Sequence, residues 1–192
     1  HGTEVAGVVG AATNNSIGIA SIGRNVSVLP VRALGVDGGY DSDIIDGMRW
    51  AAGLPVTNVN DNPPANRAKV INLSLGGDTD CTPLYRDVVT ELAAAGVLVV
   101  ASAGNSAGHA VSEPANCPGV IGVAGLRHAG TKVGVSDIGP EISVSAPGGN
   151  CVNNTGPCLL PILTTSNSGS RSPVSDQAGG SVYNGAIGTS FS

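Results

Sequence analysis

The sequence has few aromatic residues (3%) and few charged residues (12%) among its 192 positions. Its net charge is −5, so nothing in the composition favours binding to a nucleic acid or to an anionic membrane surface. The longest apolar stretch, around residues 93–103, is too short to span a bilayer. We therefore expect neither a nucleic-acid partner nor a membrane partner.

Small and apolar residues are abundant instead. Hydrophobic residues make up 41% of the sequence, and 29 positions are glycine. A disordered chain would be more charged and less apolar, whereas this composition is typical of helices packed closely on a buried sheet. The length fits one domain that is large enough to bury a core.

The four cysteines, Cys81, Cys117, Cys151 and Cys158, lack the C-x-x-C spacing of zinc or thioredoxin-like sites, and only three histidines could join them. We predict that Cys151 pairs with Cys158 across a loop rich in Gly, Asn and Pro, and that Cys81 pairs with Cys117. Two disulfides would imply an oxidising compartment. The alternative is four buried thiols in a cytosolic enzyme.

Apolar runs alternate with segments of helical periodicity along the chain. The predicted strands cover residues 26–34, 69–75, 96–102, 120–125 and 142–146, and the predicted helices cover 3–12, 41–52 and 83–95. This alternation predicts an α/β fold, a three-layer doubly wound parallel sheet with right-handed crossovers.

Two stretches are irregular. Residues 53–68 contain three prolines and several asparagines and predict a surface insertion. Residues 150–185 are rich in Ser, Gly and Asn and predict loops with a hairpin. Ligands of doubly wound sheets bind beyond the carboxyl ends of the strands, where residues 74–77 and 103–105 are expected.

Three residues with different chemistry stand among glycines and small residues: His1, Asn105 and Ser190. An imidazole can take the proton of a serine, the serine can attack a carbonyl, and an amide can bind the oxyanion that forms. Each alone has a plain explanation, such as a turn or a helix cap. Together they predict an acyl-transfer site, whereas His109 and His128 have no motif around them and are expected to be solvated loop residues.

Five motifs resemble those of subtilisin-like serine proteases: His1–Gly7, Asn72–Gly77, Ala101–Asn105, Ala146–Gly148 and Gly188–Ser190. The cysteine pattern and the segment Gly38–Asp43 look most like those of secreted bacterial members. The resemblance covers nearly all of the chain. It implies a subtilisin-like fold, secretion, and a serine endopeptidase that acts on proteins or peptides through an acyl-enzyme.

The resemblance also assigns roles. His1 would be the general base and then the acid, Ser190 the nucleophile, and the Asn105 side chain with the Ser190 N–H would bind the oxyanion. The two walls of an S1 pocket would be Ser74, Leu75, Gly76 and Gly77 on one side and Ala101, Ser102, Ala103 and Gly104 on the other. Gly38, Gly39 and Tyr40 would offer an edge strand to the substrate. Small, uncharged walls predict broad specificity with an apolar preference at P1.

Two departures from the family pattern concern the site. Glu4 stands where the family usually has a second histidine, and we expect little loss from that change. The triad order in subtilisins is Asp, His, Ser, so the aspartate is expected upstream of His1. Asp37, Asp41 and Asp43 lie downstream and read as loop or helix-start residues. Residues 1–192 would thus be a partial peptidase domain, truncated at both ends, inactive alone and not necessarily able to fold alone.

The segment 13–19 resembles the family's calcium-binding loop. Asn15 would give a side-chain oxygen, and Ile17 and Ile19 would give carbonyl oxygens, with the other ligands upstream. A simple turn is the alternative. The resemblance further implies a monomer and a possible propeptide inhibitor.

Two other functions remain as alternatives. A subtilisin-like domain without catalysis could serve binding, although the presence of both His1 and Ser190 favours an enzyme. A nucleotide-binding doubly wound domain is disfavoured, because the sequence has neither G-x-G-x-x-G after a strand nor a P-loop motif.

Overall fold

The computed structural model describes residues 1–152 and 158–192 and is built around a parallel four-stranded sheet. The strands run in the order β1 (Val70–Leu73), β2 (Leu98–Ser102), β3 (Val120–Leu126) and β4 (Ile142–Pro147). Each is parallel to its neighbour, with registers such as Val99 opposite Val120. Four of the five predicted strands and the mixed α/β class with a parallel sheet are confirmed.

Three helices match the predicted ones: α1 (Gly2–Gly10), α2 (Asp41–Ala52) and α3 (Pro83–Ala94). Helix α3 begins with a proline at its first position, where no N–H is needed. Its buried face includes Tyr85, Val88 and Leu92, which join the core beneath the sheet. Burial of one such side chain contributes about 1.5–3 kcal/mol, so this apolar face fixes the helix on the sheet.

The predicted strand over residues 26–34 is wrong. The segment makes no strand ladder, and Val26, Val28 and Leu34 are exposed. Its residues Leu29 and Val31 instead line an open groove shared with α2 and β1. A strand exists through hydrogen bonds to a partner, and β1 does not pair with this segment among the described residues.

An antiparallel hairpin, β5 (Ile162–Asn167) and β6 (Ser181–Ala186), leads to the final 3₁₀ turn, Thr189–Phe191. This confirms the hairpin predicted within residues 150–185. Helix α1 packs against β5 so closely that a Cβ at Gly7 would collide with the hydroxyls of Thr164 and Thr165. The Thr164 hydroxyl is buried and donates to the Glu4 carbonyl at 2.6 Å, so the hairpin holds the helix that follows His1.

Both predicted disulfides are confirmed, Cys81–Cys117 and Cys151–Cys158. The first joins the segment before α3 to the segment before β3. The predicted insertion over 53–68 is irregular apart from a 3₁₀ turn at Pro64–Asn66. In the described part of the chain, none of the helices has the length and apolarity needed to cross a membrane.

Candidate active site

Ser190 lies in the 3₁₀ turn Thr189–Phe191 that follows β6. Gly188, which precedes this turn, has a φ of 133°. The first hydrogen bond of this turn is donated by the Phe191 N–H to the Gly188 carbonyl. The N–H of Ser190 therefore precedes the turn's own hydrogen bonds and is free to bind an anion. Ser74, just after β1, donates its hydroxyl to the Ser190 carbonyl at 2.8 Å and so ties the turn to the sheet.

Asn105 follows β2 and is fixed by Thr189. Its Oδ1 accepts the Thr189 N–H at 2.9 Å and the Thr189 hydroxyl at 3.2 Å. The Thr189 hydroxyl also meets the Gly104 backbone, and the residue is 2% exposed. Because the oxygen end of the amide is held in this way, the Nδ2 end of Asn105 remains available as a donor, and it has no hydrogen-bond acceptor within residues 1–152 and 158–192.

His1 precedes α1, and its ring packs edge-on against Phe191, with ring centroids 5.7 Å apart and planes at 67°. This contact brings the imidazole to the residue next to Ser190. No carboxylate among the described residues hydrogen-bonds to the ring, and the Glu4 carboxylate instead accepts bonds from the Ser166 hydroxyl and the Asn184 amide. The described residues thus place the His1 ring against the neighbour of Ser190, and Ser190 and Asn105 line one pocket, without a described carboxylate bonded to the ring.

A pocket opens beside Ser190 and Asn105. Its lining contains all four residues of the predicted wall 74–77. Of the other predicted wall, residues 101–104, it contains Ser102 and Gly104. The lining residues are Ser74, Leu75, Gly76, Gly77, Asp78, Ser102, Gly104, Asn105, Ser106, Ser112, Asp137 and Ser190. The loop of Gly77 is held by its N–H bond to the Glu113 carbonyl at 3.0 Å. The predicted walls are small and uncharged, but Asp78 and Asp137 add carboxylates.

Some predicted binding residues do not reach this pocket. The side chains of Ala101 and Ala103 are buried in the core. Gly38 makes an isolated bridge with Gly35, and Tyr40 caps α2 with its side chain exposed. Beyond this bridge the segment 38–40 pairs with no strand among the described residues, and it does not line the pocket with Ser190. Its role as an edge strand for the substrate stays a prediction.

The candidate calcium loop fits part of a metal site. Asn15 Oδ1 accepts the Ile17 N–H at 3.0 Å, so this oxygen already closes a local turn. Amide and carbonyl oxygens are suitable calcium ligands, yet Asn15, Ile17 and Ile19 would give at most three of about six to eight. Within residues 1–152 and 158–192 no group of three or more His, Cys, Asp or Glu side chains could hold a metal ion.

Two groups outside the pocket have shifted pKa values. Burial raises the pKa of the Tyr85 hydroxyl, and the charge and hydrogen bond of Asp41 raise it further. A hydrogen bond from Arg49 to Glu91, 2.7 Å long, raises the pKa of the guanidinium. Both contacts join α2 to α3, so they support the scaffold beneath the sheet.

Sequence reasoning missed three contributors to the site: Thr189, Phe191 and Asp137. Thr189 and Phe191 lie on either side of Ser190 in the sequence. A small hydroxyl residue next to a nucleophile is a signal that could have identified Thr189. Asp137 lies 32 positions from Asn105, and nothing in its sequence neighbourhood marks it.

The model of the Subtilase family, peptidase S8, matches residues 1–192. The chain belongs to the subtilase family. This confirms the resemblance that the motifs indicated.

Named relatives of this subtilase chain are proteases. An extracellular protease of Xanthomonas campestris pv. campestris is 43% identical over 186 residues, which are 96% of this chain and 30% of that protein. Subtilisin E of Bacillus subtilis is 38% identical over 153 residues, or 77% of this chain and 36% of that protein. A solved protease structure from Pseudoalteromonas arctica has a TM-score of 0.87 at 38% identity, covering 98% of this chain and 53% of that one. The chain thus spans from about a third to about half of the length of these proteins.

Proposed function

We propose that this subtilase chain forms part of a serine endopeptidase that hydrolyses peptide bonds through an acyl-enzyme. The observation that carries the proposal is the orientation of Asn105, whose Oδ1 is held by Thr189 while its Nδ2 donates no hydrogen bond within the described residues, in the pocket that Ser190 also lines. A fixed donor next to a serine hydroxyl is the arrangement that oxyanion stabilisation requires. The names of the relatives support the same reaction class.

In the proposed reaction His1 accepts the Ser190 proton as the hydroxyl oxygen attacks the scissile carbonyl. Asn105 Nδ2 and the Ser190 N–H donate to the resulting oxyanion. His1 then gives the proton to the leaving amine, and an acyl-enzyme remains on Ser190. Water attacks that ester with His1 as base, and Ser190 is released with its proton.

We also propose that the aspartate partner of His1 lies outside residues 1–192. No described carboxylate bonds to the His1 ring, and the groove between 29–33 and the unpaired edge of β1 has the place of a further parallel strand. Such a strand would end at the same edge of the sheet as Ser74 and Asn105. Loss of this partner costs about 10⁴ in kcat in serine proteases, so residues 1–192 alone are expected to be inactive.

A fluorophosphonate probe tests the nucleophile on the intact protein. We expect a single adduct on Ser190, found by peptide mapping, that disappears in His1→Ala and persists in His128→Ala as the matched control. The absence of an adduct in the folded protein would favour the second candidate, a subtilase domain that binds without catalysis.

Specificity is proposed to be broad, with an apolar preference at P1. The small walls at 74–77 and 102–104 support it, and the Asp137 carboxylate is engaged by backbone N–H groups. A fluorogenic peptide panel with Leu, Phe, Gln, Lys or Arg at P1 tests this on the intact protein. A strict preference for Lys or Arg would refute it and would point to Asp78.

Secretion and calcium binding complete the proposal. The two disulfides and the relatives named extracellular support an extracellular location.

Bound calcium would be held by Asn15, Ile17 and Ile19 with ligands from outside the chain, and it would stabilise this exposed loop. A melting temperature of the intact protein that does not change with calcium would contradict this. A monomer and an inhibitory propeptide stay predictions, which sizing of the secreted protein and its precursor would test.

A further inference from the structure

The loop that follows Asn105 is wrapped around one carboxylate. Asp137 is 2% exposed, although most of the loop, residues 105–110, is exposed. Its Oδ1 accepts the N–H groups of Ser106 at 2.9 Å, Gly108 at 3.2 Å and His109 at 3.1 Å, and its Oδ2 accepts Ser106 again at 3.0 Å. Hydrogen bonds to an ionised acceptor are roughly twice as strong as neutral ones, so this loop has a strong central anchor.

The backbone of Asp137 adds a bond on the other side of Asn105. Its N–H donates to the Gly104 carbonyl at 3.0 Å. The residues before and after Asn105 are therefore both tied to Asp137. Gly104 has a φ of 109°, and a Cβ there would collide with Asp137 Oδ2, so the approach of the two segments is close as well as bonded.

Different contacts fix the direction of the Asn105 amide and the place of its backbone. Thr189 fixes the direction of the amide, but the place of the Asn105 Cα is set by residues 104 and 106. A displacement of about 1 Å at a reacting centre can cost 10²-fold in rate. An exposed loop would move by such an amount unless its backbone were held.

We propose that Asp137 is a positioning residue that places Asn105 at the oxyanion by binding the backbone on both sides of it. The proposal rests on the proposed peptidase function. Asp137 does not touch the reacting atoms; it acts through Asn105, and loss of its negative charge loosens residues 104–109.

A double-mutant cycle tests the proposal in the intact protein. Asp137→Asn keeps the shape and one acceptor oxygen, but it removes the negative charge and puts an NH₂ group in place of one carboxylate oxygen, where the Ser106 N–H or the three N–H groups at Oδ1 lose an acceptor. We expect kcat to fall by about 10-fold with KM within about 2-fold, less than the roughly 10²–10³-fold loss known, from subtilisin itself, for removal of the oxyanion amide. In an Asn105→Ala background the same change is expected to lower kcat by less than about 2-fold, because the group it positions is gone.

The outcomes separate this role from others. An equal loss of kcat in both backgrounds would show a general structural role and overturn the proposal, as would wild-type kcat in Asp137→Asn. A changed P1 ranking with unchanged kcat would assign Asp137 to the pocket instead. Asp87→Asn, the same substitution on the exposed side of α3, is the control and should leave the kinetics unchanged.

Hydrogen exchange of the wild-type protein gives a test that does not depend on a variant folding or on activity. The amides of Ser106, Gly108 and His109 are expected to exchange at least about 10-fold more slowly than that of Ala110, which donates no hydrogen bond within the described residues. Equal, fast exchange would overturn the proposal. Failure of the Ser190 probe experiment with slow exchange would instead reject the peptidase function and leave the anchor in place.

Discussion

At the scale of single residues, hydrogen bonds decide which ends of side chains face the pocket. The Thr189 N–H donates a hydrogen bond to the side-chain oxygen of Asn105, and the Ser74 hydroxyl donates one to the backbone carbonyl of Ser190. Neither contact changes the identity of a reactive group, but each fixes a direction in which it can act. A single contact is also decisive at Tyr85, which is buried and whose hydroxyl donates a hydrogen bond to the Asp41 carboxylate.

Tyr85 should make the protein sensitive to alkali. Its pKa is raised by burial and by Asp41, whereas an unfolded tyrosine has a pKa of about 10. Above that pH the unfolded chain loses a proton that the folded chain retains, so stability is full below about pH 10 and falls as pH rises. Tyr85→Phe should remove roughly 1 kcal/mol of the loss between pH 8 and 11.

Urea unfolding of the intact protein at these two pH values measures the effect. Tyr40→Phe, at an exposed position, should keep the wild-type difference between the two pH values. If Tyr85→Phe lost as much stability in alkali as the wild type, the buried hydroxyl would not be the cause.

At the scale of elements, the site depends on how α1 sits against β5. The helix approaches the strand through Gly7, and the hydroxyls of Thr164 and Thr165 donate to the carbonyls of Glu4 and Thr3. The hairpin thereby places both His1, through α1, and Ser190, through the turn that follows β6.

Gly7→Ala should therefore destabilise the protein, although alanine is intrinsically the better helix former by about 1 kcal/mol. Its methyl group would meet the hydroxyls of Thr164 and Thr165, and overpacking of this kind typically costs about 1–3 kcal/mol. Gly2→Ala is the control, since a Cβ there meets nothing within 4 Å. Thermal unfolding of both variants compares them, and equal melting temperatures would mean that α1 is not tightly packed on β5.

The strands also show which predictions from apolar patterns succeed and which fail. The runs over 69–75, 96–102, 120–125 and 142–146 became strands because each found neighbours inside the chain. The run over 26–34 is equally apolar, yet no described strand pairs with it. Apolar patterning reports a tendency to be buried, whereas a strand needs a hydrogen-bonding partner at the right distance.

At the scale of the whole molecule, the Cys81–Cys117 disulfide joins segments on both sides of α3 and β2, 36 positions apart. Cys81→Ser with Cys117→Ser should cost about 3–4 kcal/mol on the chain-entropy treatment. The shorter Cys151–Cys158 closure, 7 positions, should cost roughly 2 kcal/mol when removed in the same way. Denaturant unfolding of the two double variants tests the order, and a larger loss at 151–158 would contradict it.

The sequence by itself predicted the subtilase family, the parallel α/β class and the two disulfide pairs, all of which are confirmed, and it marked His1, Asn105 and Ser190 as candidate catalytic residues. The family and the site candidates follow from local motifs, the fold class from apolar periodicity, and the disulfide pairs from the spacing of the four cysteines along the chain. Only the tertiary structure decided that Thr189 orients Asn105, that Asp137 anchors its loop, and that residues 38–40 stay away from the pocket. Such contacts join positions dozens of residues apart, and they depend on the path of the backbone, which no local pattern specifies.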